Sequence, residues 1–293
     1  MELDKRKWIQ VISAVIYNAD IKGFFTGTIS KSKLKNICVP GLNCYSCPGA
    51  VSSCPLGSLQ SSIASGRIPF FVAGLLILIG VLLGRAVCGF LCPFGLIQEL
   101  LNKITSFRKK NKSHVFSTKL KSVSRKATYL KYVIFAILVM GLPLATYLKK
   151  GLGSPYFCAW ICPAGTLQAG IPLVMTNQML KDAIGILFSW KIALLIAFII
   201  WAIFVYRPFC RYICPLGAIY SFFNRYAIFG IKVDESKCIS CNKCVNLCKM
   251  DVLKVNDREC IRCGECISVC PTKAIFVQKP TSLLSERVSH EKS

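Results

Sequence analysis

The sequence is poor in histidine and in acidic residues, and it has no glycine-rich phosphate-binding loop. Its 293 residues include two histidines and 13 acidic residues, against 37 lysines and arginines. His114 and His290 both lie in polar stretches, which excludes a haem held by two histidines inside a membrane. Neither the dinucleotide-binding glycine pattern nor the Walker loop occurs. We therefore predict no haem and no bound nucleotide.

Charged residues are scarce as a class, at 17% of the chain, whereas hydrophobic residues make up 54%. This composition is too apolar for an ordinary soluble domain and favours a membrane protein. The formal net charge of +24 would be compatible with a nucleic-acid partner. We predict no such partner, because the basic residues cluster beside apolar segments, as the cytoplasmic flanks of membrane helices do.

The chain is rich in cysteine, with 18 copies. A disulfide framework is not expected, because disulfide-dense proteins are small and secreted. Three full copies of a cassette, Cys-x3-Cys-Pro-x-Gly, hold the pairs Cys88/Cys92, Cys158/Cys162 and Cys210/Cys214. A degenerate copy has Cys54 before its proline and Cys38, Cys44 and Cys47 upstream. The tails of the four copies end on Gln60, Gln98, Gln168 and Tyr220.

Each cassette has the local features of a cluster-binding helix start. Proline is favoured at the first helical position, where its missing N–H costs nothing. The second cysteine is then the N-cap, with its sulfur beside free backbone N–H groups and the positive end of the helix dipole. An iron–sulfur cluster held by four thiolates is anionic, so such a position stabilises it. One cassette supplies only two ligands, and we therefore expect cassettes to meet in pairs. A set of buried thiols before helices is the alternative.

The chain between the cassettes predicts a mostly α-helical membrane protein with about four transmembrane helices. The predicted spans are residues 8–25, 68–84, 132–148 and 190–206. The first is the weakest, and an interfacial amphipathic helix is its alternative. The predicted units are a membrane domain at 1–230, a ferredoxin domain at 231–277 and a polar tail at 278–293.

The distribution of basic residues predicts the topology. Residues 85–131 contain eleven lysines and arginines, whereas 26–67 contain four and 149–188 contain three. By the positive-inside rule, 85–131 is cytoplasmic and the other two segments are outside. We thus expect a multi-pass protein of the cytoplasmic membrane with cytoplasmic termini. Its two halves would form a parallel repeat, each with an outer and an inner cassette.

This topology predicts which cassettes share a cluster. Cys88, Cys92, Cys210 and Cys214 fall on the inner side and supply one complete site. On the outer side, the repeat predicts a site that combines Cys158 and Cys162 with Cys47 and Cys54. Cys38 and Cys44 would be left for a further, partial site or for a partner. The competing interpretation makes the 38–54 loop an independent site and leaves Cys158/Cys162 as a thiol pair or disulfide.

Residues 231–277 carry the most specific motif, two copies of Cys-x2-Cys-x2-Cys-x3-Cys offset by 22 residues. This is the spacing of two-cluster bacterial ferredoxins, in which the fourth cysteine of each run ligates the other cluster. It predicts a small α+β domain with two 4Fe–4S clusters. The first predicted set is Cys238, Cys241, Cys244 and Cys270. The second is Cys260, Cys263, Cys266 and Cys248. Zinc also suits four cysteines and is the less favoured alternative.

Cys-x3-Cys-Pro cassettes between membrane helices, followed by a double ferredoxin module, resemble the membrane polyferredoxin family of NapH-, NosR- and CcoG-type proteins. The resemblance extends over about residues 1–277. It implies cluster ligation by the two inner cassettes and by the eight ferredoxin cysteines. The chain differs in having a third full cassette, Cys158/Cys162, and the cysteine-rich 38–54 loop. It looks more like a generic member than one of the named branches.

Three functions fit these features. The first is an electron conduit in which ferredoxin-type clusters and one or two membrane clusters divide a bilayer of about 30 Å. Its partners would be a ferredoxin or reductase inside and an acceptor outside. The second is a quinol dehydrogenase subunit, with Asp20 as a weak candidate for a proton acceptor. The third is a redox assembly or sensing factor. In each case we expect an electron-transfer component rather than a stand-alone enzyme, and Arg85, Arg207 and Arg211 flank the inner cassettes.

Overall fold

The computed structural model describes residues 3–30, 33–108 and 125–278. These residues are mostly helical, as the composition predicts. The central part of the predicted basic loop, residues 109–124, lies outside the described residues, as does all but the first residue of the predicted polar tail.

The chain forms sixteen helices in the described ranges, two of which flank a π-helical turn at Thr166–Gly170. In chain order they are α1 Leu3–Tyr17, α2 Ile21–Thr26, α3 Pro55–Ala64, α4 Phe70–Leu83, α5 Ala86–Phe90, α6 Pro93–Arg108, α7 Arg125–Lys150, α8 Tyr156–Trp160, α9 Pro163–Gly165, α10 Ile171–Thr176, α11 Gln178–Asp182, α12 Ile186–Phe204, α13 Pro208–Tyr212, α14 Pro215–Phe223, α15 Lys243–Leu247 and α16 Glu265–Ser268. A short 3-10 turn covers Lys33–Asn36, and the two strands are β1 Ile231–Val233 and β2 Ile275–Val277.

Two helices, α7 and α12, are long and apolar enough to cross a membrane. They cover the third and fourth predicted spans. The second predicted span forms α4, which is apolar but has only 14 residues. In the described ranges, two of the four predicted spans therefore reach full spanning length. A π-helical section, Phe135–Gly141, widens α7 just before Pro143, whose missing N–H interrupts regular helix bonding.

The first predicted span, residues 8–25, is not one helix. Helix α1 ends at Tyr17, and a new short helix, α2, starts after Asp20. The break arises because the Asp20 carboxylate accepts a hydrogen bond from Gly23 N and caps α2. Aspartate is favoured at an N-cap and disfavoured in the interior of a helix. Asp20 is thus a capping residue in this fold.

The helices form a bundle in which α4 and α7 run in opposite directions. At one end of this bundle, the amides of Ile228 and Phe229 donate to the last turn of α4, and Arg125 at the start of α7 pairs with Asp257. We call this the tail end. At the other end, Gly153 N donates to Ala64 O and Val51 N donates to Tyr17 O.

Residues 231–277, which we call the tail module, contain β1, β2, α15 and α16. The two strands pair antiparallel, with Ile231 opposite Val277. Polar side chains fasten this module to the bundle. Arg262 donates to the carbonyls of Leu83, Phe229 and Asn224, and the Asn224 amide donates to the carbonyls of Asp257 and Cys260.

The strongest link between the tail module and the bundle is a buried ion triad. Glu259 of the module pairs with Arg85, which precedes α5, and with Lys131 of α7. Burial alone would raise the pKa of Glu259, but Arg85 and Lys131 together hold it below its usual range. The carboxylate is therefore charged at neutral pH.

We expect Glu259→Gln to loosen the tail module, because the substitution leaves two buried cations without their counter-ion. Breaking such a group costs about 3–5 kcal/mol. Hydrogen exchange of the 231–278 amides should become faster at pH 7. Because the folded pKa is depressed, the same loosening should occur in the parent protein only as the pH falls through that pKa. Glu235→Gln, at an exposed carboxylate, is the control, and equal exchange in both variants would contradict the assignment.

Candidate iron–sulfur centres

The three full cassettes share one backbone structure. In each, the first cysteine lies at the centre of a five-residue helix, namely α5, α8 or α13. The second cysteine follows after one further residue beyond the end of this helix, and a proline then begins the next helix. Cys54, Cys162 and Cys214 are N-caps with proline at the first turn, which confirms the predicted helix start.

The glycine of each cassette supplies a backbone donor to the capping thiol. Gly217 N lies 3.4 Å from Cys214 Sγ. The corresponding backbone bonds are Gly57 to Cys54, Gly95 to Cys92 and Gly165 to Cys162. The free N–H groups of a helix start thus point at the sulfur, which favours its thiolate form and an anionic ligand.

The two cassettes nearest the tail module come together, as the sequence predicts. The Cys210 sulfur lies close enough to Cys88 and Cys92 for their thiolates to repel it. Cys214 interacts in the same way with all three. All four are buried. We call this group the proximal site.

Two arginines cross between the cassettes of the proximal site. Arg85, three residues before Cys88, donates to Cys210 O at 3.1 Å. Arg207, three residues before Cys210, donates to Cys88 O. The cassette glycines admit these side chains, because a Cβ on Gly95 would lie 3.0 Å from an Arg207 nitrogen. Arg207 adopts a left-handed backbone (φ 49°), which is uncommon for a residue other than glycine.

The charges around the proximal site do not balance among the side chains. Four cations surround two carboxylates, since Glu99 pairs with Arg6 and Arg207 while Glu259 pairs with Arg85 and Lys131. All six are buried. Burial alone would raise the pKa of Glu99, but Arg207 and Arg6 lower it to about 2. The three arginines alone outnumber the two carboxylates, so buried positive charge remains, and an excess of this kind is costly unless an anion compensates it.

The donor set of the proximal site fits that anion. Burial, and then repulsion from Cys92, raise the pKa of Cys210 to about 12, so this thiol on its own is protonated at neutral pH. Iron binding displaces such protons. Four thiolates around an iron–sulfur core carry net negative charge, which the arginines would offset.

A second group of thiols surrounds a cavity of about 740 Å³. Its cysteines are Cys44, Cys54, Cys158 and Cys162, and we call it the distal site. Burial raises the pKa of Cys54 to about 12 and that of Cys162 to about 11. Cassette Cys158/Cys162 thus meets the 38–54 loop, as the repeat predicts.

The loop residue that joins Cys54 is Cys44, and not the expected Cys47. Gln168 of cassette Cys158/Cys162 accepts a hydrogen bond from Cys44 N at 2.8 Å, which turns this loop toward the cavity. Cys47 bonds to Asn18 at 3.6 Å, and Cys38 contacts Ser53 and Ser58. Neither lines the cavity. The spacing of the loop could not reveal this choice, because a glutamine 124 residues away makes it.

Lysines take the place of arginines at the distal site. Lys191 of α12 lines the cavity and donates to Cys158 O at 3.4 Å. Lys35 is buried, and its ammonium has no hydrogen-bond partner among the described residues. Its electrostatic neighbours include Cys47 and Cys44. A cluster of four thiolates would again offset positive charge here.

The eight tail cysteines fall into the two predicted groups. Cys238, Cys241, Cys244 and Cys270 line one pocket of about 200 Å³. Cys266 is an electrostatic neighbour of Cys260, Cys263 and Cys248. The first group is at the surface, where Cys238 and Cys241 are exposed, whereas Cys260 is buried. The second group lies against the bundle, because a Cβ on Gly89 would lie 2.5 Å from Ile261 O.

Aromatic side chains lie between the proximal and distal sites. The rings of Phe157 and Phe209, one from each site, have centroids 6.5 Å apart. Tyr220 is fully buried, and its electrostatic neighbours include Cys54 of the distal site and Cys88 of the proximal site. Its hydroxyl donates to Pro40 O at 2.9 Å.

The sequence signatures of two families match the chain. A 4Fe-4S binding domain matches residues 64–112, 132–174 and 187–234, and each of these segments carries one full cassette. A second 4Fe-4S binding domain matches residues 231–254 and 253–276, which are the two halves of the tail module.

Curated relatives match most of the same region. An uncharacterized protein of Methanocaldococcus jannaschii is 32% identical over 203 residues, 68% of this chain and 74% of the relative. The ferredoxin-type protein NapH of Escherichia coli is 27% identical over 200 residues, 66% of this chain and 59% of NapH. The regulatory protein NosR of Stutzerimonas stutzeri is 28% identical over 175 residues, 59% of this chain and 21% of NosR. The chain therefore spans only part of NapH and NosR. No solved structure matches it.

The distal geometry predicts that Cys44→Ser and Cys47→Ser behave differently. Cys44→Ser should remove about four iron atoms per chain, the content of one 4Fe–4S cluster, because it removes a cavity thiol. Cys47→Ser, the matched control, should keep the iron content of the parent. Iron analysis of anaerobically purified protein measures both, and the reverse result would restore the pairing of Cys47 with Cys54.

The proximal geometry predicts that Cys88→Ala and Cys214→Ala abolish the same spectroscopic signal, although the residues are 126 positions apart. Each cassette contributes two of the four sulfurs, so either change leaves an incomplete site. Electron paramagnetic resonance of the reduced protein identifies the missing signal. Loss of two different signals would mean that the cassettes do not share a site.

Proposed function

The chain belongs to the membrane polyferredoxin family of iron–sulfur electron-transport proteins, and from this premise we propose that it relays electrons between the tail module and an acceptor at or beyond the membrane. The proposed ligands are the eight cysteines of the tail module, the four of the proximal site and the four of the distal site. A 4Fe–4S cluster, when bound, supplies one-electron transfer.

The observation that carries this proposal is the order of the four thiol groups. The exposed tail group lies at the surface, and the buried tail group lies against the bundle. The proximal site follows, and Phe157 and Phe209 connect it to the distal site. Such a series divides a long transfer distance into short steps, as a bilayer of about 30 Å requires.

The chain's own residues have two roles in this relay. Glu259 and Arg262 hold the tail module against the proximal site, which keeps the separation between neighbouring groups constant. Arg85 and Arg207 provide fixed positive charge at the proximal cassettes. Positive charge near an iron–sulfur group stabilises its reduced form and raises its reduction potential.

In the proposed arrangement the tail end of the bundle faces the cytoplasm. The basic segment 85–131 and the tail module would then lie inside, the helices would cross the membrane four times, and both termini would be cytoplasmic. A soluble ferredoxin or a reductase would exchange electrons with the exposed tail group. The acceptor would lie outside or within the membrane.

Oxidation of a membrane quinol is the second candidate function, and the distal cavity favours it. A volume of about 740 Å³ lies in the range of small-molecule pockets. Serines line it together with Lys191, namely Ser46, Ser58, Ser61 and Ser62. Asp20, the carboxylate considered from sequence, is a helix cap and does not line this cavity.

Reconstitution into liposomes separates the candidates. With reduced ferredoxin enclosed on the tail side and ferricyanide outside, we expect ferricyanide reduction without added quinone. The Cys44→Ser variant, which leaves the proximal site and both cysteine groups of the tail module intact, should lose most of this rate. Strict dependence on added quinone would favour quinol chemistry instead. No transfer under either condition would refute both and leave an assembly or sensing role.

A further inference from the structure

The four cassettes end on a side chain whose purpose the ligand chemistry does not explain. Gln60, Gln98, Gln168 and Tyr220 each lie six residues after the cysteine that precedes proline. Neither glutamine nor tyrosine is among the usual ligands of iron–sulfur clusters. In the structure, each side chain reaches past its own cassette to bond elsewhere, and two of them make the same pair of contacts.

Gln98 contacts the facing cassette of the proximal site. Its Nε2 lies 3.1 Å from Cys210 Sγ, and its Oε1 accepts from Phe209 N at 3.1 Å. Gln60 does the same at the distal site. Its Nε2 lies 3.2 Å from Cys158 Sγ, and its Oε1 accepts from Phe157 N at 3.1 Å. Both amides are buried.

The backbone contact fixes which way each amide points. A backbone N–H can only donate, so the oxygen of Gln60 must face Phe157 and the oxygen of Gln98 must face Phe209. The NH2 group then faces the sulfur of the next residue. Since NH2 can only donate, it bonds best to a sulfur that accepts, which is a metal-bound thiolate rather than a thiol.

The other two copies lack the sulfur contact. Gln168 uses its oxygen on Cys44 N, and Tyr220 bonds to Pro40 O. The structure therefore contains one side-chain amide directed at a cassette thiol in each site, Gln60 in the distal and Gln98 in the proximal, and both contact the first cysteine of a cassette.

We propose that Gln60 and Gln98 are positioning residues that hold the first cysteine of the facing cassette and raise the reduction potential of the group bound there. The inference rests on the proposed function, namely that both sites hold 4Fe–4S clusters. An N–H···S bond withdraws charge from a ligand thiolate. It therefore stabilises the more negative, reduced state over the oxidised one, and hydrogen bonds to sulfur are a recognised determinant of cluster potential.

The test is a redox titration of anaerobically purified protein, followed by electron paramagnetic resonance. Gln60→Met keeps the side-chain length and removes both hydrogen bonds. At a fixed ambient potential it should lower the reduced-to-oxidised ratio of the distal signal by up to about tenfold, which is about 59 mV for a one-electron couple. The proximal signal should not move.

Gln98→Met should give the reciprocal result, with only the proximal signal shifted. Gln178→Met, at an exposed glutamine, is the control and should shift neither. Retained signals with unchanged potentials in the Gln60 and Gln98 variants would overturn the proposal, because a purely structural amide has no effect on potential.

Glutamate variants keep the proposal testable if methionine prevents cluster insertion. Gln60→Glu and Gln98→Glu retain an oxygen for the backbone N–H, and their ionised form offers no donor to sulfur, whereas a protonated carboxyl can itself donate. We expect the cluster to be present at a potential that falls below the parent value as the pH is raised and the carboxyl ionises, and a potential equal to the parent value across that range would refute the role of the N–H···S bond. Absence of both membrane signals in the parent protein would instead refute the proposed function, before any variant is compared.

Discussion

The buried positive charge around the proximal site is the constraint on which much of the structure depends. Four basic side chains and two carboxylates lie together with little access to water, and the three arginines alone outnumber the carboxylates. An apolar interior does not tolerate this unless an anion is bound. The same ion pairs involve three parts of the chain: α6, which carries Glu99, α7, which carries Lys131, and the tail module, which carries Glu259.

The same ion pairs also hold the tail module against the bundle. Glu259 balances Arg85, and Arg85 in turn contacts Cys210. The ionic group that holds the module is thus the one that surrounds the proximal site. Docking and charge compensation cannot be separated in this fold. A single substitution at Glu259 would change the position of the module and the electrostatics of the neighbouring thiols together.

The proximal and distal sites show two versions of one architecture. Both sites contain paired cassettes, capping thiols and a glutamine that bonds to the first cysteine of the facing cassette. The proximal site is closed by arginines with carboxylate partners, whereas the distal site has lysines and an open cavity. Phe157, Phe209 and Tyr220 lie between the two sites. In the proposed relay, the closed site would serve electron transfer alone, and the open one would leave room for an exchange partner.

The sequence by itself determined the local chemistry. Cassette spacing predicts the helix starts, as Cys54 and Cys214 show, and the ferredoxin spacing predicts the grouping of the tail cysteines, because both depend on residues close in the chain. Tertiary structure decided the rest. Cys44 replaces Cys47 at the distal site because Gln168 bonds its amide. The first predicted span breaks because Asp20 finds a capping role. These choices depend on partners distant in sequence, or on competition between bonds, and no local pattern records either.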